Sequence, residues 1–165
     1  MLQLFLFLHV MGAIAVFGPT FIFPIISRAS RAQPQNGNFA ARLIETVQYR
    51  IVIPGAIVQG LTGLALIGVI GLDPTTPEWR WLMIAVALYV VAVTYSITIQ
   101  GPAVRRMVAL TGAMAGPRPE GAPSAPAGPP PELLATSAKL QRGGMFLSLL
   151  ILTIVLLMVT KPTFG

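Results

Sequence analysis

The sequence predicts an all-α integral membrane protein, a bundle of four membrane-spanning helices in up-down-up-down order. Two observations carry this prediction. Of the 165 residues, 55% are hydrophobic and only 10% are charged, whereas about a quarter of the residues in a soluble domain are charged. Four stretches contain no Asp, Glu, Lys or Arg, and each is close to the roughly 20 residues that a helix needs to cross a bilayer: 1–27, 51–72, 81–104 and 143–160.

Helix 1 is expected over residues 2–27. This stretch lacks a basic start, is too long for the apolar part of a secretory signal, and shows no small-residue cleavage site before Arg28, so we expect a retained helix. Pro19 and Pro24 are expected to bend it, because proline removes a helical hydrogen bond. The polar connector RASRAQPQNGN that follows contains Gly and Pro and predicts a loop.

Helix 2 is expected over residues 39–72, with Asn38 as its N-cap and a bend at Pro54. Glu45 follows Arg42 by three positions, the spacing of a helical ion pair, and we expect the two side chains to pair. Arg50 stands at the membrane edge, where its charged end can reach the lipid headgroups.

Helix 3 is expected over residues 77–110, because Thr76 and Pro77 form a helix start signal. Trp79 and Trp81 flank this start and are expected at the headgroup level, which amphipathic aromatic residues favour. The dipeptide Gly101-Pro102 predicts a bend near the other end of the span.

A Pro/Gly/Ala-rich segment, 111–131, is expected to form a flexible cytoplasmic linker, since it can bury little apolar surface. Helix 4 is expected over 132–160. We therefore treat residues 1–165 as a single transmembrane domain.

Basic residues fix the expected orientation of the bundle. Nine of the eleven lie between the first and second charge-free stretches or between the third and fourth, that is, in the two connections and the helix ends beside them: Arg28, Arg31, Arg42, Arg50, Arg105, Arg106, Arg118, Lys139 and Arg142. The positive-inside rule places these connections in the cytoplasm and both termini outside, which predicts a multi-pass membrane protein. The net charge of +6 then reflects topology and contact with anionic lipids of the bilayer, and predicts no nucleic-acid partner.

Several kinds of chemistry are excluded by composition. The chain has no cysteine, which rules out disulfides, thiol nucleophiles and cysteine-bound metal clusters. It contains one histidine and five acidic residues and lacks the GxSxG, HExxH and phosphate-binding loop motifs. We therefore expect a non-enzymatic protein.

His9 is the sharpest candidate for a functional residue. At 1.5 Å rise per residue it lies roughly 8–10 Å below the outer surface, and Thr62, Tyr89 and Thr153 reach comparable depths on the other three helices. Ionisable groups inside membrane spans usually pair or bind something. A neutral imidazole can ligate haem iron or copper through one ring nitrogen, so His9 is a candidate ligand for b-type haem or copper.

Met83 and Met158 are the candidate second ligands, because methionine binds haem iron and Cu(I), and Tyr89 is a further candidate at the same depth. The alternative is that His9 hydrogen-bonds a hydroxyl or carbonyl group of a neighbouring helix while the methionines fill apolar space. Gln59 can likewise bond between helices, and five glycines allow close helix contact: Gly12, Gly18, Gly55, Gly60 and Gly63.

Three segments carry a family resemblance: LHVMGAIAVFGPTFIFPIISR, RIVIPGAIVQGLTGLALIG and WRWLMIAVALYVVAVTY. With a His followed by Gly, an Arg before Pro-Gly, a later Thr-Gly and an aromatic start to helix 3, the chain resembles the bacterial integral membrane proteins grouped as DUF2269. The resemblance covers most of the chain apart from the linker and, more weakly, helix 4, and it implies that the protein lies in a bacterial inner membrane. The LHVMGA opening is also similar to that of copper-resistance D type membrane proteins and HemJ-type protoporphyrinogen oxidases, which implies a haem or copper role for His9 alone.

Three functions remain open from the sequence. The first is a small polytopic membrane protein that binds b-type haem or copper at His9. The second is an accessory subunit that packs against a larger respiratory or transport complex, or against copies of itself. The third is a solute transporter, which the absence of a sequence repeat and of paired intramembrane charges disfavours.

Overall fold

A computed structural model describes residues 2–71, 73, 76–115 and 128–162. These residues form four long helices and no strand. The helices are Leu2–Ala32 (helix 1), Gly37–Ile70 (helix 2), Pro77–Ala115 (helix 3) and Pro131–Thr160 (helix 4), and each is long and apolar enough to cross a membrane. The all-α, four-span prediction is confirmed.

Contacts between successive helices run in antiparallel order. On helices 1 and 2, His9 lies against Gly63 and Gly12 against Gln59, so the residue number falls on one helix as it rises on the other. One end of the bundle therefore carries both termini and the connection between helices 2 and 3, and we call it the terminal end. The opposite end carries the other two connections and most of the basic residues, and we call it the basic end.

The bundle core is built from small and medium apolar side chains, which lets the helices approach closely. The buried hydrophobic residues include Val52 and Ala56 on helix 2, Ala85 and Val104 on helix 3, and Ile151 on helix 4. Large apolar side chains instead cover the outside, where 35 of them are exposed in the described part of the chain. Since lipid is as apolar as these side chains, this inverted distribution fits a bilayer rather than water.

Helices 2 and 3 each contain one π-helical turn, at Gln48–Val52 and Ser96–Gln100. Each turn ends two residues before a proline, Pro54 or Pro102. A proline ring presses on the carbonyl four residues earlier and leaves it without a partner, and the wider turn relieves both problems. Helix 1, in contrast, continues through both of its prolines from Leu2 to Ala32.

Two helices extend further than expected at the basic end. Helix 1 continues to Ala32 rather than residue 27, because RASRA contains no residue that stops a helix before Pro34. Helix 3 continues to Ala115 rather than residue 110 and stops just ahead of Gly116-Pro117 in the sequence. Residues 116–127 of the expected linker lie outside the described residues.

Helix 2 begins at Gly37, and Asn38 is not its N-cap. The Asn38 amide instead donates hydrogen bonds to Val108 O and Thr111 Oγ1 of helix 3, both at 3.1 Å. Its Oδ1 accepts a bond from Arg42 Nε at 2.9 Å. A residue expected to serve only its own helix thus joins helices 2 and 3 at the basic end.

The two tryptophans at the start of helix 3 differ in environment. Trp79 is half-buried, whereas Trp81 is only 6% exposed and packs into the bundle. At the other end of this connection, Gly71 closes helix 2 with φ +70°, a left-handed conformation that glycine adopts without strain.

A candidate ligand site around His9

His9 joins helix 1 to helix 2 in the half of the bundle nearer the terminal end. Its Nδ1 lies 3.0 Å from Thr62 Oγ1. The Gln59 amide nitrogen donates to the backbone oxygen of His9 at 2.7 Å and lies 3.1 Å from Nδ1. Thr62 Oγ1 in turn donates to Gln59 O at 2.9 Å. The three side chains therefore form a closed polar cluster, which we call the His9 cluster.

One assignment of hydrogens gives each of three donors a different acceptor. Thr62 has a single hydroxyl hydrogen, and donating it to Gln59 O leaves Oγ1 free to accept from His9 Nδ1–H. The Gln59 amide then donates to the backbone oxygen of His9. In this tautomer the other ring nitrogen of His9, Nε2, carries a lone pair, and no described residue forms a hydrogen bond with it. In the other tautomer Nδ1 accepts a hydrogen bond from the Gln59 amide at 3.1 Å, and Nε2 carries the hydrogen.

Two glycines allow the His9 cluster to form. A Cβ at Gly63 would stand 3.1 Å from His9 Cε1, and a Cβ at Gly12 would stand 2.5 Å from Gln59 Oε1. One turn further along the same interface, Val16 packs directly on Gly55. Small residues at these positions bring the backbones of helices 1 and 2 close enough for short side chains to bond across the gap. Gly18 does not take part, because a Cβ there would meet nothing within 4 Å.

Tyr89 of helix 3 lies against a neighbouring face of the same stretch of helix 2. Its hydroxyl donates to the backbone oxygen of Ala56 and lies 2.8 Å from where a Cβ on Gly60 would be. The carbonyl of Ala56 is therefore shared between helix 2 and Tyr89. Because its hydroxyl is engaged in this bond, Tyr89 stabilises the helix 2–helix 3 contact and is not a free ligand beside His9.

The remaining residues predicted at this depth do not join the cluster. Thr153 donates to Leu149 O of its own helix at 2.9 Å. Met83 is 39% exposed on the outside of helix 3, and Met158 is half-buried on helix 4. Neither methionine has a hydrogen bond among the described residues, and the expected four-helix polar layer is reduced to helices 1 and 2.

The polar residues near the basic end have other partners than expected. Glu45 lies 4.0 Å from Arg105 Nε of helix 3, whereas Arg42 bonds to Asn38, so the expected pair within helix 2 is wrong. The Arg105 guanidinium also stacks 4.1 Å above the ring of Tyr49. Arg50 is exposed, as a side chain that reaches toward headgroups would be.

A second polar cluster was not predicted from the sequence. Gln48 is 2% exposed and donates to Ser96 Oγ at 2.8 Å, which joins the first residues of the two π-helical turns. Gln100, at the end of the second turn, is 7% exposed and donates to Leu140 O of helix 4 at 3.2 Å. The available signal was that Gln48 and Ser96 each stand six residues before a proline, Pro54 or Pro102.

The donor set around His9 distinguishes between metals. No group of three or more His, Asp or Glu side chains that could hold a metal ion is found in the described residues. A copper ion takes all of its ligands from the protein, and neither Met83 nor Met158, the candidate soft ligands for Cu(I), joins the His9 cluster. Haem supplies four nitrogen ligands of its own and needs only one axial imidazole, so the single residue present fits haem better than a copper ion.

Four apolar helices packed through glycines, with buried side-chain hydrogen bonds between them, define the protein as a multi-pass integral membrane protein. Residues 3–162 match the family described as "Predicted integral membrane protein (DUF2269)", and the chain belongs to this family. No curated protein and no solved structure matches the chain. The similarity to copper-resistance D type and HemJ-type proteins therefore stays a prediction.

Proposed function

We propose that the protein is a small, non-enzymatic membrane protein that binds b-type haem through Nε2 of His9. In this proposal the basic end faces the cytoplasm of a bacterium and both termini face outward, following the positive-inside rule. The haem site then lies in the outer half of the inner membrane.

The observation that carries the proposal is the asymmetric use of the imidazole. Nδ1 is held by Thr62, and the peptide oxygen of His9 is held by Gln59, while Nε2 is left without a bond from the described residues. Histidines that ligate metals usually donate the other ring N–H to a protein acceptor, which fixes the tautomer and the ring orientation. The His9 cluster provides this support.

An absorption spectrum of the purified protein in detergent, before and after reduction with dithionite, tests the proposal. We expect a Soret band and an α-band, both lost in His9→Ala. Met11→Leu is the matched control, because Met11 is two residues away on the same helix and is exposed to lipid. Copper analysis of the same samples covers the other metal that His9 can ligate.

Flat spectra in the wild type after expression with added haem precursor contradict the proposal. The second candidate, an accessory subunit or a homo-oligomer, would then lead. It is favoured by Gly68, which is exposed on helix 2 and whose Cβ would meet nothing in the chain. Such a position permits close approach of a partner helix. Colourless protein that co-purifies in a fixed ratio with another membrane protein supports this candidate.

A further inference from the structure

A buried amide oxygen near the basic end has no hydrogen-bond partner. Among the described residues, Gln100 Oε1 is the buried side-chain oxygen or nitrogen without a partner. The residue is only 7% exposed. Leaving such an acceptor unpaired costs free energy, and more so in a membrane, where bulk water cannot reach it. Native proteins usually satisfy such groups with ordered water when protein atoms do not.

The orientation of the Gln100 amide is fixed by its other half. Nε2 donates to Leu140 O of helix 4 at 3.2 Å. Exchanging the amide oxygen and nitrogen would place two acceptors, Oε1 and the Leu140 carbonyl, against each other. Rotating the amide therefore does not satisfy Oε1, and the acceptor needs a donor from elsewhere.

A hydroxyl group lies beside this oxygen. Tyr95 OH is 2.8 Å from the point where a Cβ on Gly143 would be, and Gln100 Oε1 lies still closer to the same point. The two oxygens are therefore no farther apart than two hydrogen-bond lengths. No described residue forms a hydrogen bond with the Tyr95 hydroxyl, whose ring is held edge-on against Phe146 at a centroid distance of 4.9 Å.

We propose that Gln100 Oε1 and the Tyr95 hydroxyl form a binding site for one small uncharged hydrogen-bond donor, a water molecule, between helices 3 and 4. The water donates to Oε1 and exchanges its second bond with the tyrosine hydroxyl. Two polar partners are the minimum that retains a buried water. Gly143 makes the site possible, because any side chain there would displace both oxygens.

The second π-helical turn brings the two residues of the site together. Tyr95 immediately precedes this turn and Gln100 ends it. Residues five positions apart do not share a face of a regular α-helix, but a turn with one more residue brings them together on the helix 4 side. π-helical turns occur frequently at functional sites.

Water-edited solid-state NMR of the full chain in phospholipid vesicles tests the proposal, with glutamine side chains labelled with ¹³C and ¹⁵N. Gln48 is the internal control: it is also buried, 2% exposed against 7% for Gln100, but its amide bonds to Ser96 Oγ. We expect magnetisation from water to reach the Gln100 side chain severalfold faster than that of Gln48. In Tyr95→Phe, which keeps the ring contact, we expect the Gln100 signal to fall to the level of Gln48.

Two results overturn the proposal. The first is magnetisation from water that reaches the Gln100 side chain no faster than the Gln48 side chain in the wild type. This comparison needs no variant to fold. The second is an unchanged Gln100 water signal in Tyr95→Phe, which would show that the hydroxyl is not half of the site.

Discussion

The imidazole of His9 and the hydroxyl of Thr62 are joined by a 3.0 Å contact between Nδ1 and Oγ1, across 53 positions of sequence. This contact ties helix 1 to helix 2 and leaves the other ring nitrogen without a bond from the described residues. The same histidine is thus both a structural link and the candidate ligand, and its two ring nitrogens divide these roles.

Removing the Thr62 hydroxyl should weaken both roles. In Thr62→Val we expect the free energy of unfolding to fall by about 1 kcal/mol, the size of an interhelical hydrogen bond in a membrane. We expect haem affinity to fall by about 10-fold to 100-fold, because Nδ1–H loses its acceptor. Unfolding by SDS in mixed micelles and haem titration measure the two effects.

Thr153→Val is the matched control for this substitution. Its hydroxyl bonds to Leu149 O within the same helix, so it should leave unfolding and haem binding unchanged. Equal behaviour of the two valine variants would refute the role given to Thr62.

The contact between helices 2 and 3 at Gly60 should leave no room for one added methyl group. A Cβ there would stand 2.8 Å from Tyr89 OH and 3.1 Å from Cε1, so the ring must move and its bond to Ala56 O must weaken. We expect Gly60→Ala to lower the free energy of unfolding by about 1–3 kcal/mol. Gly68→Ala, with open space at its Cβ, should be neutral or stabilising by up to about 1 kcal/mol.

The same SDS unfolding assay compares these two glycine variants side by side. If Gly60→Ala unfolds at the same SDS fraction as Gly68→Ala, then helices 2 and 3 do not approach each other closely at Tyr89 in the protein in micelles.

The ion pair between Arg106 and Glu132 should contribute little to stability. It joins helices 3 and 4 at the basic end, but the two side chains are 58% and 54% exposed. Exposed pairs gain little because water and salt screen them. We expect Glu132→Gln to change the free energy of unfolding by no more than about 0.5 kcal/mol at moderate salt, and a loss several times larger would show that this pair is shielded in the folded protein.

The proposed orientation can be measured with introduced cysteines, since the chain has none of its own. Asn36 lies between helices 1 and 2, and Glu78 lies at the start of helix 3; both are exposed. In spheroplasts, a membrane-impermeant maleimide should label Glu78→Cys at once and Asn36→Cys only after the membrane is opened. The reverse pattern would place the basic end outside.

The membrane spans were predictable because a bilayer imposes a simple rule on sequence. Every backbone polar group must be bonded within the segment and charges are costly, so a span is recognisable as a long charge-free stretch. The helix ends were less predictable. RASRA contains no helix-stopping residue, but its polarity made it resemble part of a loop. Residues 111–115 were placed in the linker because the segment 111–131 is rich in Pro, Gly and Ala, yet helix 3 continues through them.

The candidate site was only partly predictable. Depth arithmetic placed His9, Thr62 and Tyr89 at one level, and the structure joins His9 to Thr62 but turns Tyr89 toward Ala56. Arg42 and Glu45 have the spacing of a pair, yet Glu45 faces Arg105, because the neighbouring helix presents a cation at the same level.

The sequence by itself determined that four helices cross a membrane and that one imidazole lies within the first of them. Only the tertiary structure decided which polar groups meet, including the Gln48–Ser96 bond and the unpaired oxygen of Gln100. The physical reason is that each segment must be apolar by itself to cross lipid, so a span can be recognised from the composition of that segment alone. Which two polar side chains form a hydrogen bond depends on how two helices are rotated and shifted relative to each other. Small residues and π-helical turns in distant parts of the chain set that rotation and shift together.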